Sequence, residues 1–386
     1  MTLTSEQQFI VDVVDRVCTG AFSRKQAQQV LDISQSTLER YLRQYRSLGP
    51  RFALHGNAGK TPHNQTSVEI KAQVKWLMES RYFDFNLTHA LEKLKLEHSI
   101  VIKREVFRLW CHEWGMVKRA KRRRSSAKAR YKRDRMPKEG LMLQMDGSPH
   151  RWFGEKESCL IATIDDATSR IPYAEFFRSE DTLSCLKVLR SIIERFGVFE
   201  ILYVDRAGIF GGHKRQNFSQ VKRALGELGI QVIFAQSPEA KGRVERLFQT
   251  LQDRLIPEMR LRHIGEFETA NHFLQEQFIP NAWEQTFTLS ARDPEPAYRA
   301  VSQAIDLNEI FCVKEHRQVG RDHTLSWNGV KYLLKSPIKY SIAKQKIEIR
   351  TYPDLSWKAF YANKPIDLTP LPAHQQPSPK ALNLCA

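Results

Sequence analysis

One segment, residues 236 to 252, constrains the fold more than any other. Its apolar residues recur at the spacing of one face of an α-helix and continue to residue 255: Val244, Leu247, Phe248, Leu251 and Leu255. Glu245 lies at the edge of this apolar stripe, close to Lys241, Arg243 and Arg246. The pattern predicts a carboxylate on the side of a packed helix, suited to hold a metal ion beside a polyanion. A lone helical glutamate is more often a solvated residue in ordinary ion pairs.

Two segments upstream favour the metal-binding interpretation. Residues 141 to 146 and 199 to 205 both have the pattern of a buried strand, and each ends in an aspartate, Asp146 and Asp205. In open α/β sheets, ligands bind beyond the ends of the strands. The two aspartates and Glu245 are therefore candidates for one site, although they are far apart in the sequence.

The three segments together resemble the catalytic signature of the DDE transposases of the retroviral-integrase superfamily. The resemblance covers about residues 138 to 290 and is carried by Gln144 to His150, Tyr203-Val204-Asp205, and Ser237 to Arg246. Within that superfamily, the chain is most similar to bacterial insertion-sequence transposases of the ISNCY type. The resemblance implies that Asp146, Asp205 and Glu245, spaced 59 and then 40 residues apart, are the catalytic residues and hold two Mg²⁺ or Mn²⁺ ions.

The resemblance also implies an activity and its partners. Such a transposase binds the ends of an insertion sequence in double-stranded DNA, as a homo-oligomer, and catalyses metal-dependent strand cleavage and strand transfer. Two ions about 3.5 to 4 Å apart can activate the attacking oxygen and stabilise the leaving oxygen. A bacterial cytoplasmic, nucleoid-associated location follows from the same resemblance. The alternatives are a DNA-binding regulator derived from an inactive transposase and, less favoured, a nuclease acting on RNA–DNA hybrids, which needs no pair of helical DNA readers.

The central region, residues 139 to 295, has the element order of an α/β, ribonuclease-H-like core. We predict strands at 140–146, 158–165 and 170–177, a helix at 181–196, a strand at 199–205, a helix at 216–228, a strand at 230–235 and a helix at 239–257. In that order, Asp146 lies on the first strand, Asp205 after the fourth and Glu245 on the last helix. A Gly/Pro-containing turn is expected directly after Asp146.

The N-terminal region, residues 1 to 50, is predicted to be an all-α helix-turn-helix domain. Helices are expected at 5–18, 23–31 and 35–45, with a tight turn at 32–34 and a capping box between Ser36 and Glu39. The last helix carries polar residues suited to contact DNA: Gln35, Arg40 and Arg43. A plain three-helix bundle is the alternative interpretation.

A second helical DNA-binding domain is predicted at residues 66 to 117, after a Gly/Pro/Asn-rich linker at 51–65. Thr66 and Glu69 have capping-box spacing at its start, and further helices are expected at Leu87–Glu97 and Lys103–Trp114. Tandem domains of this kind suit a transposase that contacts a terminal repeat over more than one turn of DNA.

A basic linker separates these domains from the core. Residues 118 to 138 contain twelve Lys or Arg and one acid, Asp134, and so contribute 11 of the chain's net charge of +17. Such a segment binds phosphates without reading base sequence. We therefore add Arg122, Arg123 and Arg124 to the expected DNA-binding residues, together with Lys241, Arg243 and Arg246 beside the acids.

The C-terminal region is predicted to be a small β-barrel at residues 306 to 368, followed by a disordered, Pro-rich tail at 369–386. Short alternating segments and an Asn328-Gly329 hairpin signal support this prediction. The cysteines and histidines lack metal-binding spacing, so we expect no structural zinc. No apolar run is long enough to cross a membrane, so no membrane partner is expected.

Three other acids compete for the catalytic roles. Asp165 and Asp166 lie in a segment with the pattern of a turn between strands, where Asp serves as a local hydrogen-bond acceptor. Glu239 follows Pro238, and its simpler role is to complement the dipole of the helix that begins there. All three are therefore ranked below Asp146, Asp205 and Glu245.

Overall fold

The computed structural model describes residues 3–54, 66–116, 133–205, 219–235, 242–335 and 340–372. The chain divides into two compact units, Met1–Val74 and Lys75–Ala386, which are described separately.

The first unit contains three helices, α1 (Ser5–Cys18), α2 (Arg24–Leu31) and α3 (Gln35–Leu48), followed by a 3-10 turn. Asp32 ends α2 in the left-handed conformation with φ 50°, which makes the short turn before α3 possible. The helices pack around a small apolar core: Val13, Val14, Ala27, Leu38 and Leu42. The predicted helices are thus present, but the capping box predicted between Ser36 and Glu39 is wrong. Its N-cap is Ser34, whose hydroxyl accepts from the Thr37 N–H at 3.3 Å.

Three further helices follow: α4 (Val68–Ser80), which contains the boundary between the units, α5 (Leu87–His98) and α6 (Arg104–Glu113). The Ser67 hydroxyl accepts from the Ile70 N–H at 3.3 Å, so Ser67 takes the capping role that the sequence suggested for Thr66. Asn86 caps α5 in the same way, because its side chain accepts from the His89 N–H at 2.9 Å.

The core is a five-stranded sheet in the order β3-β2-β1-β4-β5. Its strands are β1 (Met142–His150), β2 (Ser158–Asp165), β3 (Ala174–Phe177), β4 (Ile201–Val204) and β5 (Gln231–Phe234). The first three strands are antiparallel, whereas β4 and β5 run parallel to β1. The predicted α/β core with three leading strands is confirmed.

Helices cover both faces of this sheet. On one face, α7 (Thr182–Phe196) and α8 (Gln220–Glu227) pack against Leu143 and Met145 of β1. On the other face lies α9 (Gly242–Leu261), followed by α10 (Phe267–Phe273), a π-helical segment at Leu274–Trp283 and α11 (Glu284–Phe287). The apolar stripe predicted on α9 is buried, which fixes the helix that carries Glu245.

Strand β1 continues past the residue at which the sequence predicted a turn. Gly147 pairs with Ile161 and His150 with Ser158, so the long strand β2 supplies a partner for every residue of this segment. Asp146 therefore lies inside a strand and not at its end. Pro149 is tolerated there because β4 pairs with β1 only up to Gln144, so no neighbour on that side requires its missing N–H.

A buried ion network joins α5 to the C-terminal half of α9. Glu258 is only 4% exposed, and its carboxylate contacts the His89 Nε2 at 2.8 Å, the Lys93 Nζ at 2.7 Å and the Arg262 guanidinium. Burial raises the pKa of Glu258, but the hydrogen bonds from His89 and Lys93 and the charges of Lys93 and Arg262 outweigh it and lower the pKa to about 2.

Replacing Glu258 by Gln should destabilise the second unit in a pH-dependent way. Because its pKa is lowered on folding, Glu258 stabilises the fold above the pKa of the unfolded chain, and that contribution is lost as the pH falls towards 2. We expect Glu258→Gln to cost about 3 kcal/mol at pH 7 and much less at pH 3. Urea unfolding followed by tryptophan fluorescence measures this, since all 7 Trp residues lie after Val74.

Glu268→Gln is the matched control for that measurement. Glu268 is exposed on α10, so its replacement should change stability by less than about 0.5 kcal/mol at either pH. An equal loss of stability at pH 7 and pH 3 in Glu258→Gln would contradict the stabilising role of the ionised carboxylate.

The C-terminal region forms two sheets after a short helix, α12 (Leu307–Ile310). One sheet has the order β11-β10-β9-β6, and the other has the order β12-β8-β7. The strands are β6 (Val313–Gln318), β7 (Thr324–Trp327), β8 (Val330–Leu334), β9 (Lys346–Thr351), β10 (Trp357–Tyr361), β11 (Lys364–Ile366) and β12 (Leu368–Pro370). The predicted hairpin at Asn328-Gly329 joins β7 to β8.

These strands do not close into the predicted barrel in the part of the chain that is described. The chain changes sheets between Ile366 in β11 and Leu368 in β12, and both sheets contribute to one apolar core. Thr369 and Pro370, predicted to begin the disordered tail, belong to β12 because that strand pairs with β8. No helix among the described residues has the length and apolar character needed to cross a membrane.

Candidate active site

Asp146 and Asp205 each lie two residues beyond the last pair formed between β1 and β4. Gln144 is paired with Tyr203, and the same register continued for two residues sets Asp146 opposite Asp205, which directly follows β4. The pairing itself ends at Gln144 and Tyr203. That the two aspartates share one site stays a prediction from the sequence.

The antiparallel pairing with β2 determines the face on which Asp146 lies. Asp146 is paired with Ala162, and paired residues of neighbouring strands project their side chains from the same face. Ala162 and its neighbour on that face, Leu160, belong to the apolar core formed with Val244 and Leu247 of α9. Asp146, which is half-buried, therefore lies on the face that α9 covers.

Helix α9 is held on that face at two points. Near its start, the Arg243 Nη1 donates to the Asp166 Oδ1 at 2.7 Å, and further along, the Gln252 Nε2 donates to the Ser148 Oγ of β1 at 3.4 Å. Glu245 precedes Gln252 by seven residues, or about two helical turns, so the two side chains are on the same side of the helix. Glu245 is exposed at the edge of the packed stripe, on the side that reaches β1.

The donor atoms at this edge are carboxylate oxygens, which are the ligands preferred by Mg²⁺. Asp146, Asp205 and Glu245 together fit such an ion by their chemistry. Across the described ranges, no three acidic, histidine or cysteine side chains are close enough together to form a complete metal site. The fold thus carries Asp146 on β1, Asp205 directly after the neighbouring strand β4 and Glu245 on the covering helix α9, and among the described residues it does not bring the three into one ligand set.

The predicted DNA-contacting residues are distributed between the two units. Gln35, Arg40 and Arg43 are exposed on α3 of the first unit. Arg246 is exposed on α9, whereas Arg243 is largely buried against Asp166. The other predicted DNA-contacting residues lie outside the described residues: Arg122, Arg123, Arg124 and Lys241. The competing acid Glu239 also lies outside them.

Asp165 has the local role that its sequence context indicates. It is fully buried, and its carboxylate accepts from the Thr168 N–H at 2.7 Å, the Thr168 hydroxyl at 2.8 Å and the Gly140 N–H at 2.9 Å. Burial raises the pKa of Asp165, and these hydrogen bonds oppose that rise. Asp165 therefore stabilises the turn after β2.

Asp166 has a different role, which the turn interpretation missed. Its buried carboxylate accepts hydrogen bonds from Arg133, the Met136 N–H, Gln144 and Arg243. All four donors lie outside the turn, in three separate parts of the chain. One sequence signal was available: consecutive residues at a strand end project to opposite sides, so only one of two adjacent aspartates can face a local turn.

A further acid, Glu180, lies against Gly147 of β1, on the face of the sheet opposite to that of Asp146. A Cβ atom on Gly147 would be 2.4 Å from the Glu180 Oε2, so only glycine permits this close approach. Burial, the charge of Glu180 and, more weakly, that of Asp146 raise the pKa of the neighbouring Cys159 thiol to about 12. No sequence pattern marked Glu180, because its proximity depends on the packing of the segment before α7.

Comparison with known proteins gave two similar sequences with transposase names. The candidate transposase y4bF of Sinorhizobium fredii is 29% identical over 361 residues, which cover 90% of this chain and 78% of that protein. The transposase for insertion sequence IS1202 of Streptococcus pneumoniae is 29% identical over 301 residues, which cover 68% of this chain and 64% of that protein. No family model matches the chain.

Among solved structures, one match is the catalytic core domain of HTLV-2 integrase in complex with magnesium. It is 14% identical, covers 38% of this chain and 91% of that domain, and has a TM-score of 0.28.

Proposed function

We propose that this chain, whose resemblance to the DDE transposases of the retroviral-integrase superfamily is confirmed by its two transposase relatives, cleaves and joins DNA strands at the ends of an insertion sequence. Asp146, Asp205 and Glu245 are the proposed catalytic residues. The observation that carries the proposal is the parallel pairing of β1 with β4 up to Gln144 and Tyr203, because Asp146 and Asp205 each follow that pair by two residues on the sheet that α9 covers.

The three carboxylates would hold two Mg²⁺ or Mn²⁺ ions. When bound, such ions lower the pKa of an attacking water or hydroxyl and stabilise the charge on the leaving oxygen of a phosphodiester. The protein's part is to fix the ligands: β1 and β4 fix Asp146 and Asp205, and the packed stripe of α9 fixes Glu245. A backbone held by packing keeps each carboxylate in place with little loss of conformational entropy on metal binding.

DNA binding is proposed to be divided among three groups of residues. Gln35, Arg40 and Arg43 on α3 would read the element end, whereas the basic segment at 118–138 would contact phosphates without regard to sequence. Beside the acids, Lys241 and Arg246 would neutralise the phosphates of the strand being cut, whereas the guanidinium of Arg243, the third predicted DNA contact there, is already paired with Asp166. Because an element has two ends, we propose that the active complex on double-stranded DNA is a homo-oligomer.

Incubation with Mg²⁺ or Mn²⁺ and labelled element-end DNA tests this function. We expect nicked 3′ ends followed by products in which those ends are joined to target DNA, and no products after chelation of the metal. Specific end binding without any nicked product, in either metal, would contradict the enzyme and support the alternative of a DNA-binding regulator.

Replacing Arg40 and Arg43 together by Ala should weaken binding to the element end by about ten- to a hundredfold, because a lost base contact costs about 1 to 3 kcal/mol. Binding to unrelated DNA should change little, since the basic segment at 118–138 remains. Titration of both DNAs at several salt concentrations measures the two effects separately.

The matched control removes the same charge from the other helices of the first unit. Arg16 and Lys25 are exposed on α1 and α2, and their replacement by Ala should affect both DNAs equally. Equal losses in the α3 variant on specific and unrelated DNA would show that α3 does not read sequence.

A further inference from the structure

We infer that Asp166 is a positioning residue, which fixes the first turn of α9, and with it Glu245, against strand β1. The inference rests on the proposed function, since Glu245 and Asp146 are two of its catalytic residues. Asp166 is not among the residues to which the resemblance to transposases assigns a role.

Asp166 is a buried carboxylate with several hydrogen-bond donors around it. Its side chain is 0% exposed, a burial that charged groups almost never reach unless they have partners. The Oδ1 accepts from the Gln144 Nε2 at 3.0 Å, from the Arg243 Nη1 at 2.7 Å and from the Arg133 guanidinium. The Oδ2 accepts from the Met136 N–H at 2.9 Å.

Two of these partners, Gln144 and Arg243, lie two residues before proposed catalytic residues in the sequence. Gln144 lies two residues before Asp146 on β1 and on the same face of the sheet, and Arg243 lies two residues before Glu245 on α9. One carboxylate therefore connects the strand that carries the first acid to the helix that carries the third. A shift of about 1 Å in such a connection can cost about a hundredfold in rate.

The backbone of Asp166 is also fixed, so the residue cannot follow a movement of α9. Its N–H donates to the Met142 carbonyl at 3.0 Å, and its carbonyl accepts from the Arg135 Nη1 at 3.0 Å. Arg243 is partly buried close to Arg133 and Arg135, and the charge of Asp166 offsets theirs. Without that charge, Arg243 would be partly buried among like charges, and the first turn of α9 would lose its attachment.

Asp166→Asn in the full-length protein tests the inference. The change keeps the size of the side chain and removes its charge. We expect faster hydrogen exchange confined to the first turns of α9, Mn²⁺ affinity reduced by about ten- to a hundredfold in calorimetry, and a similar loss of cleavage. Binding of element-end DNA should change by less than about threefold.

Asp165→Asn is the matched control, because Asp165 is the adjacent residue, is equally buried and does not contact α9. Its replacement should lower stability and leave Mn²⁺ affinity unchanged. If Asp165→Asn reduced Mn²⁺ affinity as much as Asp166→Asn, the effect would be a general loss of packing, and the positioning role would be wrong.

Arg243→Gln provides a second route if Asp166→Asn does not fold. It breaks only the connection to α9, and it should reproduce the loss of Mn²⁺ affinity. The double variant should be no worse than the more affected single variant, because both changes remove one interaction. Weaker DNA binding with unchanged Mn²⁺ affinity would show that Arg243 acts only on DNA, and would overturn the inference.

The calorimetry also separates failure of this inference from failure of the proposed function. If Asp146→Asn abolishes Mn²⁺ binding but Asp166→Asn does not change it, only the positioning role is contradicted. If the wild-type protein binds no Mn²⁺, or binds it equally well without Asp146, the proposed active site itself is contradicted, and with it the positioning role.

Discussion

Replacing either Asp146 or Asp205 by Asn is expected to reduce both strand cleavage and strand transfer by about 10³-fold, which removes detectable product. The amide keeps the size of the side chain and its place between neighbouring strands, but it removes the negative charge that a divalent ion requires. End binding should stay within about threefold of the wild type, since the proposed DNA readers lie on α3. Gel assays of nicked and joined products, run beside binding titrations, measure both properties.

Glu155→Gln is the control for these two variants. Glu155 is an exposed acid in the segment between β1 and β2, so its replacement removes the same charge without touching the site. Its activity should match the wild type. Wild-type nicking in Asp146→Asn or Asp205→Asn would show that the altered residue is not a catalytic ligand.

The second large effect is expected from Glu245→Gln, with Glu239→Gln retaining most strand-transfer activity. Glu245 is on the part of α9 fixed by the buried Val244 and Leu247, and such fixed backbone is what a metal ligand needs. Glu239, at the predicted first turn, could contribute only about 0.3 to 1 kcal/mol through the helix dipole. Strand-transfer rates of the two variants decide between them.

The two glutamates also provide a control for each other, because each variant removes one negative charge from the same segment. Loss of activity in Glu239→Gln with retention in Glu245→Gln would overturn the choice of the third ligand. Equal and complete loss in both would assign a catalytic role to Glu239 as well.

The elements of the core were predictable because their patterns are long and local. The helix predicted at 181–196 is α7 (Thr182–Phe196), and the strand predicted at 158–165 is β2. The apolar stripe on α9 was predicted from the helical spacing of its residues alone, and these residues are buried as expected. The placement of Asp146 on β1, and of Asp205 directly after the neighbouring strand β4, followed from the order of these elements.

Features that depend on distant partners could not be predicted from the sequence. Gly147 and Pro149 favour a turn locally, but pairing with β2 keeps β1 extended through both. Asp166 resembled a turn residue because two of its partners, Arg133 and Arg243, are separated from it by 33 and 77 residues of sequence. The C-terminal strands were recognised, but their division into two sheets depends on the change of sheet after Ile366.

Because α5 is attached to α9, the long helix α9 sets the distance between α5 and Glu245. Thirteen residues separate Glu245 from Glu258, which corresponds to about 20 Å along one continuous helix. Two more ion pairs flank Glu258 on α9: Arg254 is bidentate to Glu92 at 2.6 and 3.0 Å, and Arg260 contacts both oxygens of Asp84 at 2.7 Å. Any molecule held by α5 is thereby kept at a constant distance from Glu245. This distance of about 20 Å is close to the length of six base pairs of B-form DNA.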